Sequence, residues 1–142
     1  MIHMVKLCVG VSSFEELESY RNERAHWWGA DYGEDVHVHR TRMMPKRSAE
    51  MEGKGSIYWV IAGAIVCRQV IQRLASYTDA EGKNYCDIIM APDLIRTLPY
   101  PKRPFQGWRY LEPKDAPPDL STMDAGELPD DFARQLREMG AW

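Results

Sequence analysis

Ser56-Ile57-Tyr58-Trp59-Val60-Ile61-Ala62-Gly63-Ala64-Ile65-Val66-Cys67-Arg68-Gln69-Val70-Ile71-Gln72-Arg73-Leu74-Ala75-Ser76-Tyr77 is the stretch on which the fold turns. Its first seven residues are rich in β-branched and aromatic side chains, the composition of a strand. Gly63 marks a turn. Ala64 to Tyr77 is double-edged: Ile65, Val66, Val70 and Ile71 favour a strand, whereas the length and the Gln72-Arg73-Leu74-Ala75 end would suit a helix. A glycine turn between two β-branched runs resembles a hairpin, so we read the second run as a strand.

Working outward, residues 79–83 carry a hairpin-loop signal, Asn84 to Met90 is the next strand, and Pro92 starts a turn toward Leu94 and Ile95. Upstream, Met1 to Val9 reads as a strand ended by Gly10. Ser13-Phe14-Glu15-Glu16 has the form of a capping box, and Phe14, Leu17 and Tyr20 follow at helical spacing, giving a helix from Phe14 to about Trp28. The stretch from Gly29 to Gly33 breaks it. Val36 to Met44 alternates, with Val36, Val38, Arg40 and Arg42 on one face and His37, His39, Thr41 and Met43 on the other. Pro45 suits the start of a short helix over Lys46 to Glu52. Gly53-Lys54-Gly55-Ser56 is too short for a phosphate loop and reads as a hairpin lead-in.

Downstream, Arg96 to Leu111 holds three prolines, four cations and four aromatic rings. Each proline removes a donor and fixes φ, so no ordinary helix or central strand is expected, and we read a rigid basic-aromatic loop. Beyond it, prolines and acids dominate to Asp131, the composition of an extended, partly disordered tail. Phe132, Leu136 and Met139 would form one short terminal helix. The expected organisation is a single α+β domain over residues 1–111 and an acidic proline-rich tail over 112–142. Its sheet is expected to be mostly antiparallel and barrel-like, with an early helix.

Bulk properties exclude several classes. The 142 residues, 44% hydrophobic and 27% charged, suffice for a core without metal or disulfides. No apolar run reaches the roughly 18 residues of a membrane span, and the N-terminal residues do not read as a signal peptide, so no membrane partner and a cytoplasmic location are expected. Cys8, Cys67 and Cys86 have wide, irregular spacing and read as buried thiols, not as a zinc or disulfide framework. The net charge of −3 hides an asymmetry: residues 40–114 contain 13 Lys and Arg against 7 Asp and Glu, and the flanks 5 against 14. A basic middle between acidic ends favours an anionic partner.

The candidate ligand-binding residues are Arg42, Lys46, Arg47, Arg68, Arg103, Trp108, Arg109 and Tyr110. Guanidinium groups grip phosphate, and aromatic planes stack a splayed base. Trp59, mid-strand in an apolar run, is expected in the core. Arg68, in an apolar setting, calls for a carboxylate or carbonyl partner or a functional cleft. His37 and His39 share a strand face, but no third ligand stands at a signature spacing, so no metal site is assigned. Nucleophile elbows, phosphate loops and dinucleotide fingerprints are missing from the sequence, and no cofactor is called for.

Three runs carry a family resemblance: Thr41-Arg42-Met43-Met44-Pro45-Lys46-Arg47, residues 56–63 leading to Cys67-Arg68-Gln69, and Arg103-Pro104-Phe105-Gln106-Gly107-Trp108-Arg109-Tyr110-Leu111. Together they resemble the bacterial domain-of-unknown-function 1489 family, which implies a compact single-domain cytoplasmic protein and no particular activity or catalytic residue. The order of elements also resembles the PUA-like superfamily with its EVE and ASCH groups. That implies a small β-barrel with flanking helices that binds RNA or modified bases. The leading expectation is a module for RNA or a nucleotide-like ligand. The alternatives are a small-molecule enzyme around Arg68, His37 or His39, and Arg109, and a protein-interaction adaptor using the acidic tail.

Overall fold

The structure, a computed structural model, describes residues 1–24, 32, 36–103 and 105–122. The elements run β1 (His3–Leu7), α1 (Phe14–Arg24), β2 (His37–Thr41), β3 (Ser56–Ile61), β4 (Ala64–Thr78), β5 (Asn84–Met90), β6 (Ile95–Pro101) and β7 (Trp108–Leu111). Among the described residues this is a mostly-sheet α+β architecture with one α-helix. The expected helix beyond Arg24 and the terminal helix lie outside the described residues.

The decisive hairpin forms as read. β3 and β4 pair antiparallel from Ile61–Ala64 to Ser56–Val70. Ala62 (φ 52) and Gly63 (φ 86) make the two-residue turn, the left-handed pair that matches strand twist. β4 then continues to Thr78, so one strand serves two neighbours in succession. β6 lies along its first half and β5 along its second. β2 extends the sheet beyond β5, while β1 adds to β3 and β7 to β1. All pairings are antiparallel except β1 with β3, which is parallel.

The sheet bends along β4 and does not close into the expected barrel. Among the described residues its path ends at β2 on one side and β7 on the other. The main core fills the concave side, where Met4, Ile57, Trp59 and Cys67 meet Ile71, Leu74, Ile88 and Met90. Gly55 marks the tightest approach beside it: an added Cβ would sit 2.1 Å from the Ile2 carbonyl oxygen. A second cluster backs the outer face of β1 and β3, with Val5, Tyr58 and Val60 under Phe105 and Leu111.

The proline-rich segment is not one loop. Its two ends are the strands β6 and β7, joined through residues 102–107. β6 accepts its prolines because it bulges. Between the Ile65–Tyr100 and Cys67–Arg96 pairs, Val66 stands opposite Thr97, Leu98 and Pro99, and Leu98 turns its N–H to Pro118 (2.9 Å). Proline is tolerated at bulges and edges. One further expectation is corrected. The short helix over Lys46 to Glu52 is a single 3₁₀ turn, Ser48–Glu50. Residues 112–122 hold two more 3₁₀ turns and lie against β6, with Asp119 bridged to Thr97. All three cysteines are buried free thiols, and burial pushes Cys67 up to about 12 and Cys86 up to about 11.

Candidate functional site

The opening of the sheet between β2 and β1 creates the site. A cleft of about 500 Å³ lies there, walled by the end of β1, by β2 and by one side of α1, with Trp59 of β3 at its base. Its size falls within the range of small-molecule pockets.

α1 is placed by a short set of contacts. The Ser13 hydroxyl accepts the Glu16 N–H (3.1 Å), and the Ser12 hydroxyl donates to the Glu16 carboxylate (2.7 Å), a local version of the expected capping box. Leu17 is buried (1% exposed) and Arg21, one turn later on the same face, is 9% exposed. The Arg21 guanidinium carbon stands 5.3 Å from the centre of the Trp59 ring, within cation–π range. His39 meets the same indole edge-on at 5.5 Å. Lys6 reaches the cleft from β1.

A buried relay holds the base of the cleft. The Trp59 indole N–H donates to Gln69 Oε1 (3.0 Å), and Gln69 Nε2 donates to the Ala91 carbonyl (3.1 Å) and lies 2.9 Å from His37 Nδ1. An amide nitrogen only donates, so His37 Nδ1 is the acceptor. The indole can only donate as well, which fixes the amide's orientation and therefore that tautomer.

Lys6, Arg21 and the histidines share the lining with the Glu16 carboxylate. Burial, followed by the charges of Lys6 and Arg21, pushes His39 down to about 4, so its imidazole is neutral at physiological pH. Burial also lowers Lys6 and raises the Cys8 thiol. Cys8 therefore stays protonated.

None of the eight candidate residues lines this cleft. Strand alternation splits them. Trp108 pairs with Lys6 and Tyr110 with Met4, on the cleft face of the sheet. Arg109 pairs with Val5, then Tyr58, then Arg68, on the opposite face. Arg68 finds the carboxylate its setting called for: it bonds Asp119 through two nitrogens (2.8 and 2.9 Å) and the Ser56 hydroxyl (2.7 Å). Arg47 is held by Glu50 (2.7 and 2.8 Å) with Glu112 at 3.6 Å, beside the Tyr110 ring (5.5 Å). Arg109 covers Phe105 at 4.7 Å, and Arg42 lies 5.5 Å from Tyr85 at the far end of β2. Lys46 and Arg103 are exposed. Of the arginines 42, 68, 103 and 109, Arg68 and Arg109 share the face opposite the cleft, Arg42 lies by Tyr85, and Arg103 is exposed.

Trp59 is in the core as expected (1% exposed) and also floors the cleft. His37 and His39 do share the inward face. Lys6 and Arg21 were missed. Their signals were a lone lysine in the alternating row Met4, Lys6, Cys8, and an arginine one helical turn after Leu17.

A bent, open α+β sheet with a helix-roofed cationic cleft is the class of molecule these features define. The chain belongs to the family described as Protein of unknown function (DUF1489), whose pattern it matches over residues 4–142. No curated protein and no solved structure matches the chain significantly. Among the described residues, no helix is long and apolar enough to cross a membrane, and no group of three His, Cys, Asp or Glu stands ready to hold a metal ion.

Proposed function

We propose that this chain is a binding module whose helix-roofed cleft takes a nucleotide-like ligand, a planar base carrying phosphate. The observation that carries the reading is the convergence of Lys6, Arg21 and His39 around the Trp59 indole. Two cationic donors suit phosphate, and flat, largely apolar walls suit a base. The basic-aromatic cleft expected from the sequence is thereby moved from the proline-rich segment to the space under α1. A cytoplasmic location, where nucleotides and reduced thiols coexist, belongs to the same proposal.

Binding is favoured over catalysis by the state of the reactive groups. An imidazole held near pKa 4 is a weak base at neutral pH, and a buried thiol pushed upward is a weak nucleophile. The enzyme alternative also needed Arg68 and Arg109 beside the histidines, and both lie across the sheet from the cleft.

Calorimetric titration of the four ribonucleoside 5′-monophosphates into wild type, Arg21→Gln and Lys6→Gln tests this. Each lost charge-assisted contact is worth ~1.5–3 kcal/mol, so affinity should drop at least tenfold per substitution and weaken with salt. Near-UV circular dichroism verifies that Trp59 keeps its environment. The absence of binding by all four nucleotides, or affinities indifferent to both substitutions, would refute the reading.

A further inference from the structure

The row of side chains that starts at the base of the cleft continues past its lining. Trp59 on β3, Lys6 on β1 and Trp108 on β7 are consecutive cross-strand partners, and such partners project from the same face of a sheet. Trp108 is partly exposed and packs against the main core cluster beside this face. Tyr110, 38% exposed, meets it edge to face at 4.9 Å and fixes its tilt. A cation thus stands between two indoles, one in the cleft and one on the next strand, β7.

We propose that the cleft is the first of two subsites for a single-stranded RNA: one base enters beside Trp59, Lys6 holds the linking phosphate, and the neighbouring base stacks on Trp108. This rests on the nucleotide reading of the cleft and extends it from a free nucleotide to a dinucleotide step.

The spacing selects the kind of strand. Two strand separations place the indole positions about 10 Å apart, whereas stacked neighbours in a duplex rise about 3.4 Å per nucleotide. Bases that occupy both subsites are splayed, which a single strand permits and a paired helix resists. Charge then sets the length. Along β7 from Trp108 comes Tyr110, with Arg47 beside its ring, and Arg47 is already neutralised by Glu50 and Glu112. A third phosphate would meet those carboxylates, so the footprint ends at two nucleotides.

The test uses the full chain and two ladders of 5′-phosphorylated oligonucleotides, of adenylate and of uridylate, one, two and four nucleotides long. Affinity should rise roughly tenfold from one to two nucleotides, the effect of one added stacked base, and then level off. Trp108→Ala should erase that rise, read as the ratio of dinucleotide to mononucleotide affinity of the same variant, and Trp108→Phe should keep most of it. Photocrosslinking of a 4-thiouridine dinucleotide to the wild-type chain gives a check without substitution, with attachment expected at Trp108. An absent rise, a rise that survives Trp108→Ala, equal binding of an RNA duplex, or attachment confined to other segments would overturn the second subsite. The mononucleotide arm with Arg21→Gln reads the cleft by itself, so its failure marks the nucleotide reading and not the second subsite.

Discussion

Replacing Gln69 with leucine removes the amide that ties Trp59 to His37, and the loss can be worked from the geometry. Gln69 is fully buried and serves three partners: the Trp59 N–H at 3.0 Å, His37 Nδ1 at 2.9 Å and the Ala91 carbonyl at 3.1 Å. Leucine has a similar volume, so little cavity forms and the change falls on those polar groups. An unsatisfied buried group costs ~1–3 kcal/mol, and three at the lower end cost ~3–5 kcal/mol. The added apolar burial offsets ~1–2 kcal/mol. A net loss of ~2–3 kcal/mol lowers a urea midpoint by about 1–2 M at a typical slope for this size. Gln69→Glu sharpens the reasoning. An ionised carboxylate still accepts from Trp59 but has no proton for His37 Nδ1 or Ala91. Protonation restores a donor, so this variant's deficit should shrink between about pH 8 and pH 5. Urea unfolding followed by tryptophan fluorescence at both pH values measures it. A leucine variant within about 0.3 M of wild type, or a glutamate variant with the same deficit at both pH values, would refute the relay.

Three further outcomes are expected. Ala62→Asn should raise stability by ~0.5–1 kcal/mol, because Ala62 holds φ 52 beside Gly63 and asparagine tolerates that region; a lower Tm would contradict the turn assignment. Gly55→Ala should lose more than ~3 kcal/mol, since the new methyl would meet backbone at 2.1 Å that cannot swing aside; an unchanged urea midpoint would show that the β1 approach is looser. His39 should titrate near pH 4 by nuclear magnetic resonance, against about 6.5 in the unfolded chain. The unfolded chain then takes a proton that the fold rejects, so stability is full above about pH 6.5 and falls as pH drops toward 4. His39→Phe should remove that part of the pH dependence.

Local signals carried the strands well and the long-range pairings poorly. Ser56 to Tyr77 reads as a hairpin because the turn and both β-branched runs lie within one stretch. The parallel pairing of β1 with β3 joins residues about fifty positions apart and has no local mark. The proline-rich segment misleads for a physical reason. Prolines forbid a regular central strand but not a bulged one, and β6 is bulged at Thr97–Pro99 with its outer side turned to residues 117–119. The same omission of alternation blurred the candidate residues. Trp108, Arg109 and Tyr110 look like one patch in the sequence, yet a strand sends Arg109 to the face opposite its neighbours.

The cleft follows from a mismatch between backbone pairing and side-chain reach. β2 finds its ladder with β5 and leaves the side toward β1 and β3 without one. Among the described residues that gap is spanned by side chains, His39 against Trp59 and Gln69 to His37. A ladder would have left no room for a ligand. Among the described residues α1 packs toward the gap through Leu17, with Phe14 and Arg21 beside it. Arg21 is therefore both an anchor of the helix and a wall of the cleft, so an anion that draws the guanidinium from the Trp59 face would act on the helix and the site at once.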